Sequence, residues 1–239
     1  MIYATSLAGR DEIAEGTIAF RFVKPPGFSF DPGQAIDLIH IDPPSTGTAA
    51  ARHTFSLVTA PWEDELTVAT RMRASPFKHF LGSLAVGSAA RIEGPFGSLT
   101  LHDDRARPAI LLAGGIGITP FMSILRQAAK DRRQQDLILL YSNRRPEDAA
   151  FLTELQQLER GNERFRLIAT MTEMNVSGRP WTGRTGLIDA EMLREVGRVA
   201  DAPIYYIAGP PGMVDAMRRT LTNVGIADDD IRSEEFHGY

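Results

Sequence analysis

Apolar and polar positions change rhythm partway along the chain. In the first hundred residues the apolar positions alternate over short runs. Thr17–Val23 alternates imperfectly and stops at Pro25-Pro26-Gly27, and Ala35–Ile41 follows a Pro32-Gly33 turn. His53–Thr59 and Glu65–Met72 are rich in Thr, Val and aromatic residues, the composition of strands. Closely spaced strands punctuated by Pro and Gly predict an antiparallel β-barrel. One short helix interrupts them. Ser75 suits its N-cap and Pro76 its first position, and Phe77, Phe80, Leu81 and Leu84 recur at helical spacing.

His102–Pro108 is polar and charged and ends in proline, so it reads as a linker. Beyond it, strands and helices alternate. Ala109–Ala113, Leu137–Tyr141, Phe165–Thr170 and Ile204–Ala208 read as buried strands. Pro120–Arg132, Glu147–Glu159, Asp189–Val196 and Gly212–Asn223 read as helices. That alternation predicts an α/β unit with a doubly wound parallel sheet. The expected division is a barrel domain over residues 1–104 and an α/β domain over 105–239, with a C-terminal tail. No repeat or low-complexity tract interrupts either half.

Composition narrows the chemistry. The 239 residues are 43% hydrophobic and 23% charged, with a formal net charge of −4. No basic stripe interleaved with aromatics points to nucleic acid. No apolar run approaches the roughly 18 residues of a membrane span, and the N-terminus lacks a signal-peptide pattern. A cytoplasmic monomer is therefore expected. The chain has no cysteine. Disulfides, thiolate zinc sites and Cys-ligated iron–sulfur clusters are excluded, so any electron carrier held here is an organic cofactor. The histidines show no metal-ligand spacing, and no metal site is expected.

The segment Leu111–Leu125 carries the most chemistry. An apolar run breaks into Gly114-Gly115-Ile116-Gly117, and Thr119 and Pro120 then offer an N-cap and a first helical position. Strand, glycine turn and helix aim backbone N–H groups at a phosphate. The ordinary dinucleotide fingerprint is not met, because Pro120 stands where its third Gly belongs. Upstream, Arg71-Met72-Arg73-Ala74-Ser75-Pro76-Phe77-Lys78 places arginines beside a helix N-terminus, a second anion site. NAD-selective sheets end their second strand in an acid. Here that strand ends Tyr141-Ser142-Asn143-Arg144-Arg145, which suits a 2′-phosphate and favours NADP over NAD.

Taken together, the chain resembles the ferredoxin–NADP reductase family along nearly its whole length. Gly114–Pro120 is similar to that family's G-G-x-G-I-x-P nucleotide motif, and Arg52-His53-Thr54-Phe55-Ser56 to its flavin motif. Ala208-Gly209-Pro210-Pro211-Gly212-Met213 resembles its C-G-P-x-x-M turn, with Ala for Cys, and Glu234-Glu235-Phe236-His237-Gly238-Tyr239 resembles its acidic–aromatic terminus. The resemblance implies FAD in the barrel and a nicotinamide nucleotide in the α/β unit. Arg52 or His53 would meet the pyrophosphate, Phe55 the isoalloxazine, and Ser56 the flavin N5. Ser75 or Lys78 would make a second phosphate contact. Gly209, Pro210 and Met213 would form the turn beside the nicotinamide. Glu234, Glu235 and Phe236, or Tyr239 as the ring, would cover the flavin. Single electrons would pass to ferredoxin or flavodoxin, with Arg71 and Arg73 attracting an acidic partner. Alternatives are a reductase subunit of a multicomponent oxygenase, a free flavin or quinone reductase, and a non-catalytic nucleotide-binding module.

Overall fold

Strand pairing in the N-terminal half closes a sheet on itself. The computed structural model describes residues 1–40, 52–198 and 200–236. The strands are β1 (Ile2–Ala14), β2 (Thr17–Val23), β3 (Ala35–Ile39), β4 (Arg52–Ser56), β5 (Glu65–Arg71) and β6 (Ala89–Phe96), with helix α1 (Pro76–Ser83) between the last two. They form a six-stranded sheet in the order β4-β3-β6-β1-β2-β5, antiparallel at every pairing. A bridge between Leu57 and Val68 joins its two edges. Phe20, Phe22, Ile36, Leu38, Leu66 and Ile92 fill the interior with no exposed surface. Ser75 caps α1 as expected: its Oγ accepts from the Lys78 N–H at 3.2 Å.

The C-terminal half is a six-stranded parallel sheet, ordered β10-β9-β8-β7-β11-β12. Its strands are β7 (Ala109–Gly114), β8 (Leu137–Asn143), β9 (Phe165–Met171), β10 (Arg184–Thr185), β11 (Ile204–Gly209) and β12 (Ile231–Glu235). Its helices are α2 (Thr119–Lys130), α3 (Leu152–Gly161), α4 (Ala190–Arg198) and α5 (Pro211–Asn223). Alternate residues of β7 face opposite cores. Leu111 and Ala113 pack with α2 and α3, while Ile110 and Leu112 pack with α4 and α5. The strand order reverses between β7 and β11, which makes their carboxyl ends the switch point where such sheets bind ligands.

The halves share a core. Ala19, Val58 and Ala69 of the barrel belong to the same buried cluster as Phe121, Met122 and Leu125 of α2. Ser123 Oγ donates to the Thr59 carbonyl at 2.6 Å. Arg126 binds Glu154 through Nε at 2.6 Å and reaches Glu63 of the barrel at 3.3 Å.

Several expectations need correction. β1 and β6 lie outside the expected strands; β1 has register shifts at Leu7/Gly9 and Glu12/Ala14 that break its period. The helix expected over 147–159 begins only at Leu152. Glu147 accepts instead from Ser177 and Gly178, Asp148 accepts from Arg145, and Phe151 takes a φ of 60°. With those acids bonded elsewhere, the chain turns rather than winds. Of the expected C-terminal tail, the described residues are held in the α/β unit: Glu234 and Glu235 pair in register with Ala208 and Gly209, and Phe236 packs against the shared core. Thr119 is not an N-cap. A 3₁₀ turn over Gly115–Ile118 runs into α2, and Thr119 Oγ1 donates to the Ile116 carbonyl at 3.1 Å.

The expected linker is not a solvated tether either, because His102 is buried. Its Nδ1 lies 2.8 Å from Tyr206 Oη and its Nε2 2.8 Å from Gln135 Nε2. Gln135 must turn its amide N–H groups toward that ring, since its Oε1 accepts from Arg133 Nε. A proton added at Nε2 would face another donor. Burial, with the charges of Arg232, Arg107 and Arg133, holds His102 below the ordinary histidine range, outweighing its bond to the Arg107 carbonyl. The folded state therefore binds the proton less readily than the unfolded chain. Stability is full above the unfolded value of about 6.5 and is lost as pH falls below it. Thermal melts from about pH 7.5 to about pH 5 should show this loss. His102→Gln should lower stability at the upper pH by about 1–3 kcal/mol yet flatten the acid slope. An unaltered slope would assign it to other groups, His53 among them.

Candidate functional site

The carboxyl ends of β7, β8 and β11 face the open ends of β4 and β5, and two cavities lie between them. The first, about 330 Å³, is bounded by His53, Thr54, Phe55, Ser56, Thr70, Arg71 and Lys78 of the barrel and by Ile116, Thr119, Glu234, Glu235 and Phe236 of the α/β unit. The second, about 790 Å³, is bounded by Arg71, Arg73, Gly114, Gly115, Ser142, Asn143, Arg144, Thr172, Pro210 and Met213, among others. Arg71 borders both.

The first cavity combines an aromatic wall, crowded cations and an unsatisfied hydroxyl. His53 and Phe55 stand edge-to-face at 4.7 Å, and Phe77 lies behind both. Ser56 Oγ is buried with no hydrogen-bond partner. Burial pushes His53 below its ordinary range, and the Lys78 charge adds to this against the pull of Asp37. Burial likewise lowers Lys78, helped by Arg73 and Arg71. Positive groups that raise one another's cost in this way suit a bound anion. Across the cavity, burial pushes the Glu234 carboxyl above the usual range. The Phe236 N–H donates to the Gly209 carbonyl at 2.9 Å, which fastens this wall to the nucleotide-side turn.

In the second cavity the glycines do two jobs. Gly115 has a φ of 54° in the 3₁₀ turn. A Cβ on Gly114 would stand 2.2 Å from Met213 Sδ, and one on Gly117 2.2 Å from the Ala208 carbonyl oxygen. Close packing of the turn against the β11 backbone, rather than room for a ligand alone, thus requires Gly117, whereas at Gly114 it is the Met213 side chain that would have to move. Asn143 is buried, and both its side-chain Nδ2 and Oδ1 lack partners. Arg144 reaches Glu173 at 3.5 Å.

Some expected residues stand elsewhere. Arg52 points away from the cavity and pairs with Asp37 and Glu93, leaving His53 as the member of that pair on the wall. Met72 packs against the barrel core. Ser75 Oγ is occupied as the α1 cap. Gly117, Pro120 and Gly209 shape the turns without bordering either cavity. Tyr239 lies outside the described residues. Arg184 of β10 is held by Glu195. Thr70, Ile116 and Thr172 were not anticipated. Ile116 is the variable position of the glycine motif, and Thr70, adjacent to Arg71 in β5, sits where strand alternation from Arg71 gives no signal.

Asp148 supports the shared wall. Burial pushes its carboxyl up, but bonds to Arg145 and the charges of Arg145 and Arg71 hold it below its ordinary value. Arg71 NH2 lies 4.0 Å from it.

Comparison with known proteins agrees with this geometry. Residues 111–219 match the model of the oxidoreductase NAD-binding domain. Ferredoxin–NADP reductase B of Sorangium cellulosum is 32% identical over 199 residues, covering 80% of this chain and 78% of that protein. The chain belongs to the ferredoxin–NADP reductase family. A propane 2-monooxygenase reductase component from Mycolicibacterium smegmatis is 31% identical over 219 residues, 90% of this chain. The chain spans only 61% of that relative's length. A Neisseria gonorrhoeae ferredoxin NADP+ reductase, solved with bound FAD and NADP, shares the fold with a TM-score of 0.82 at 22% identity, covering 98% of each chain.

Two substitutions test the geometry without any ligand. Ser56→Ala removes a buried polar atom that has nothing to bond, so the flavin-free protein should gain about 1 kcal/mol. A fall in its melting temperature would mean Oγ is satisfied. Gly117→Ala forces a methyl into the Ala208 backbone and should cost about 1–3 kcal/mol; chemical denaturation measures it.

Proposed function

We propose that this chain is a flavoprotein reductase that takes a hydride from NAD(P)H onto FAD and passes electrons singly to a separate acceptor. The observation that carries the reading is the meeting of the two cavities on Arg71 at the switch point of the parallel sheet. FAD would be held by barrel residues within 1–104, and the nucleotide by residues within 105–239. The fit rests on the chain's own features: an unpartnered Ser56 hydroxyl, an unpartnered Asn143 amide and a glycine turn with no room for side chains.

Bound FAD supplies the chemistry, accepting a hydride and releasing electrons one at a time. The protein's part is placement and exclusion of water. His53, Lys78 and Arg71 hold phosphate charge. The N–H groups that open the Gly115–Ile118 turn face the nucleotide phosphates. Ser56 Oγ offers its hydrogen bond at the reacting edge of the ring. Glu234, half-buried across the cavity, keeps a proton at its carboxyl to higher pH than a solvated glutamate. Phe236 closes the cavity from the nucleotide side. Ser142, Asn143 and Arg144 take the adenosine end of the nucleotide.

The acceptor we favour is a small ferredoxin or flavodoxin, met on the barrel side of the cleft. A second reading, the reductase component of a multicomponent oxygenase, is favoured by the printed name of the Mycolicibacterium relative. Among the described residues no helix is long and apolar enough to cross a membrane. A cytoplasmic location, where NAD(P)H is at hand, goes with this reading.

The protein should purify yellow, and heat release followed by chromatography should recover FAD. Anaerobic NADPH should bleach it. Ser56→Ala should keep the flavin but slow its reduction about tenfold, the worth of one hydrogen bond. A protein that neither carries nor takes up FAD would sink the reading.

A further inference from the structure

The loop after β9 is tied to the loop after β8. Thr172 N–H donates to the Asn143 carbonyl at 3.0 Å, and Glu173 N–H to the Arg144 carbonyl at 2.8 Å. Thr172 Oγ1 adds a bond to the Asn143 carbonyl at 3.3 Å. These bonds fix Glu173 opposite Arg144, and its carboxylate stands 3.5 Å from Arg144 Nε. Arg144 borders the larger cavity beside Ser142 and Asn143. The second strand ends in no acid of its own, yet an acid reaches the same place from the third.

We propose that Glu173 is a specificity-determining residue that sets the balance between nicotinamide nucleotides with and without a 2′-phosphate. The proposal rests on the reading that the larger cavity takes the nucleotide. A 2′-phosphate seeking Arg144 must approach a carboxylate already paired with that guanidinium. It meets repulsion and must displace an ion pair. A free ribose diol carries no charge and can donate a hydrogen bond to the same carboxylate. One residue thus opposes one nucleotide and favours the other, the repulsive element that selectivity commonly needs. The two side chains are 59% and 48% exposed, so the effect is that of a screened surface charge, and replacing either leaves the core intact.

The test compares wild type, Glu173→Gln and Arg144→Gln as FAD-loaded protein. Steady-state kcat/KM for NADPH and NADH is measured with ferricyanide as acceptor. Calorimetry with 2′,5′-ADP and 5′-AMP gives binding without turnover. Glu173→Gln should raise the NADPH/NADH ratio roughly fivefold, the scale of one exposed charge interaction. It should tighten 2′,5′-ADP relative to 5′-AMP by a similar factor, and both gains should shrink as salt rises. Arg144→Gln should shift both ratios the other way. If Arg144→Gln acts selectively on the phosphorylated ligands while Glu173→Gln alters neither ratio, the proposal fails and the cavity reading stands. If neither variant changes the affinity or kcat/KM of any ligand, the cavity reading fails and the proposal falls with it.

Discussion

The constraint on which the site depends is the backbone approach of the glycine turn after β7 to the carboxyl end of β11. Gly117 lies against the Ala208 carbonyl so tightly that no Cβ fits between them. Adjacent parallel strands then leave the sheet in opposite directions, one into the 3₁₀ turn and α2, the other through Pro210 into α5. The crevice between those departures is the larger cavity. β12 hydrogen-bonds to the free side of β11, so the acids on it inherit their position from the same contact. Loosening that approach would move the glycine turn, the Pro210 turn and Glu234 together.

Charge is distributed to match. His53, Lys78, Arg71 and Arg73 crowd one region, and burial makes the charged forms of His53 and Lys78 more costly still. Such crowding is tolerated because part of it is balanced from across the cleft. Arg145 grips Asp148 and reaches Glu15 of the barrel, and Asp148 lies near Arg71. The chain of charges leaves Arg71 between the cavities instead of letting it fold back onto solvent. Bound diphosphates would relieve the rest of the repulsion.

Much of this was legible in the sequence because the signals were local. The β7–glycine turn–α2 run, the cap at Ser75 and the buried parallel strands each follow from a few neighbouring residues. The failures share one cause, partners distant in sequence. Arg52 and His53 are equal candidates until β3 and β6 bring Asp37 and Glu93 under Arg52. His102 reads as linker until Tyr206 and Gln135 surround it. Glu147 looks like an acidic helix start until Ser177, 30 residues away, donates to its carboxylate. Glu173 carries no local signal at all, and its meaning comes from the tie between two loops.

The last strand has a mechanical consequence. Glu234 and Phe236 line the smaller cavity, yet β12 and the Phe236 N–H join them to β11 and the Gly209 turn. They therefore travel with the parallel sheet and not with the barrel. A rotation that parted the two sheets would lift the cover from one cavity and the turn from the other in a single stroke. One strand thus couples the walls of both cavities.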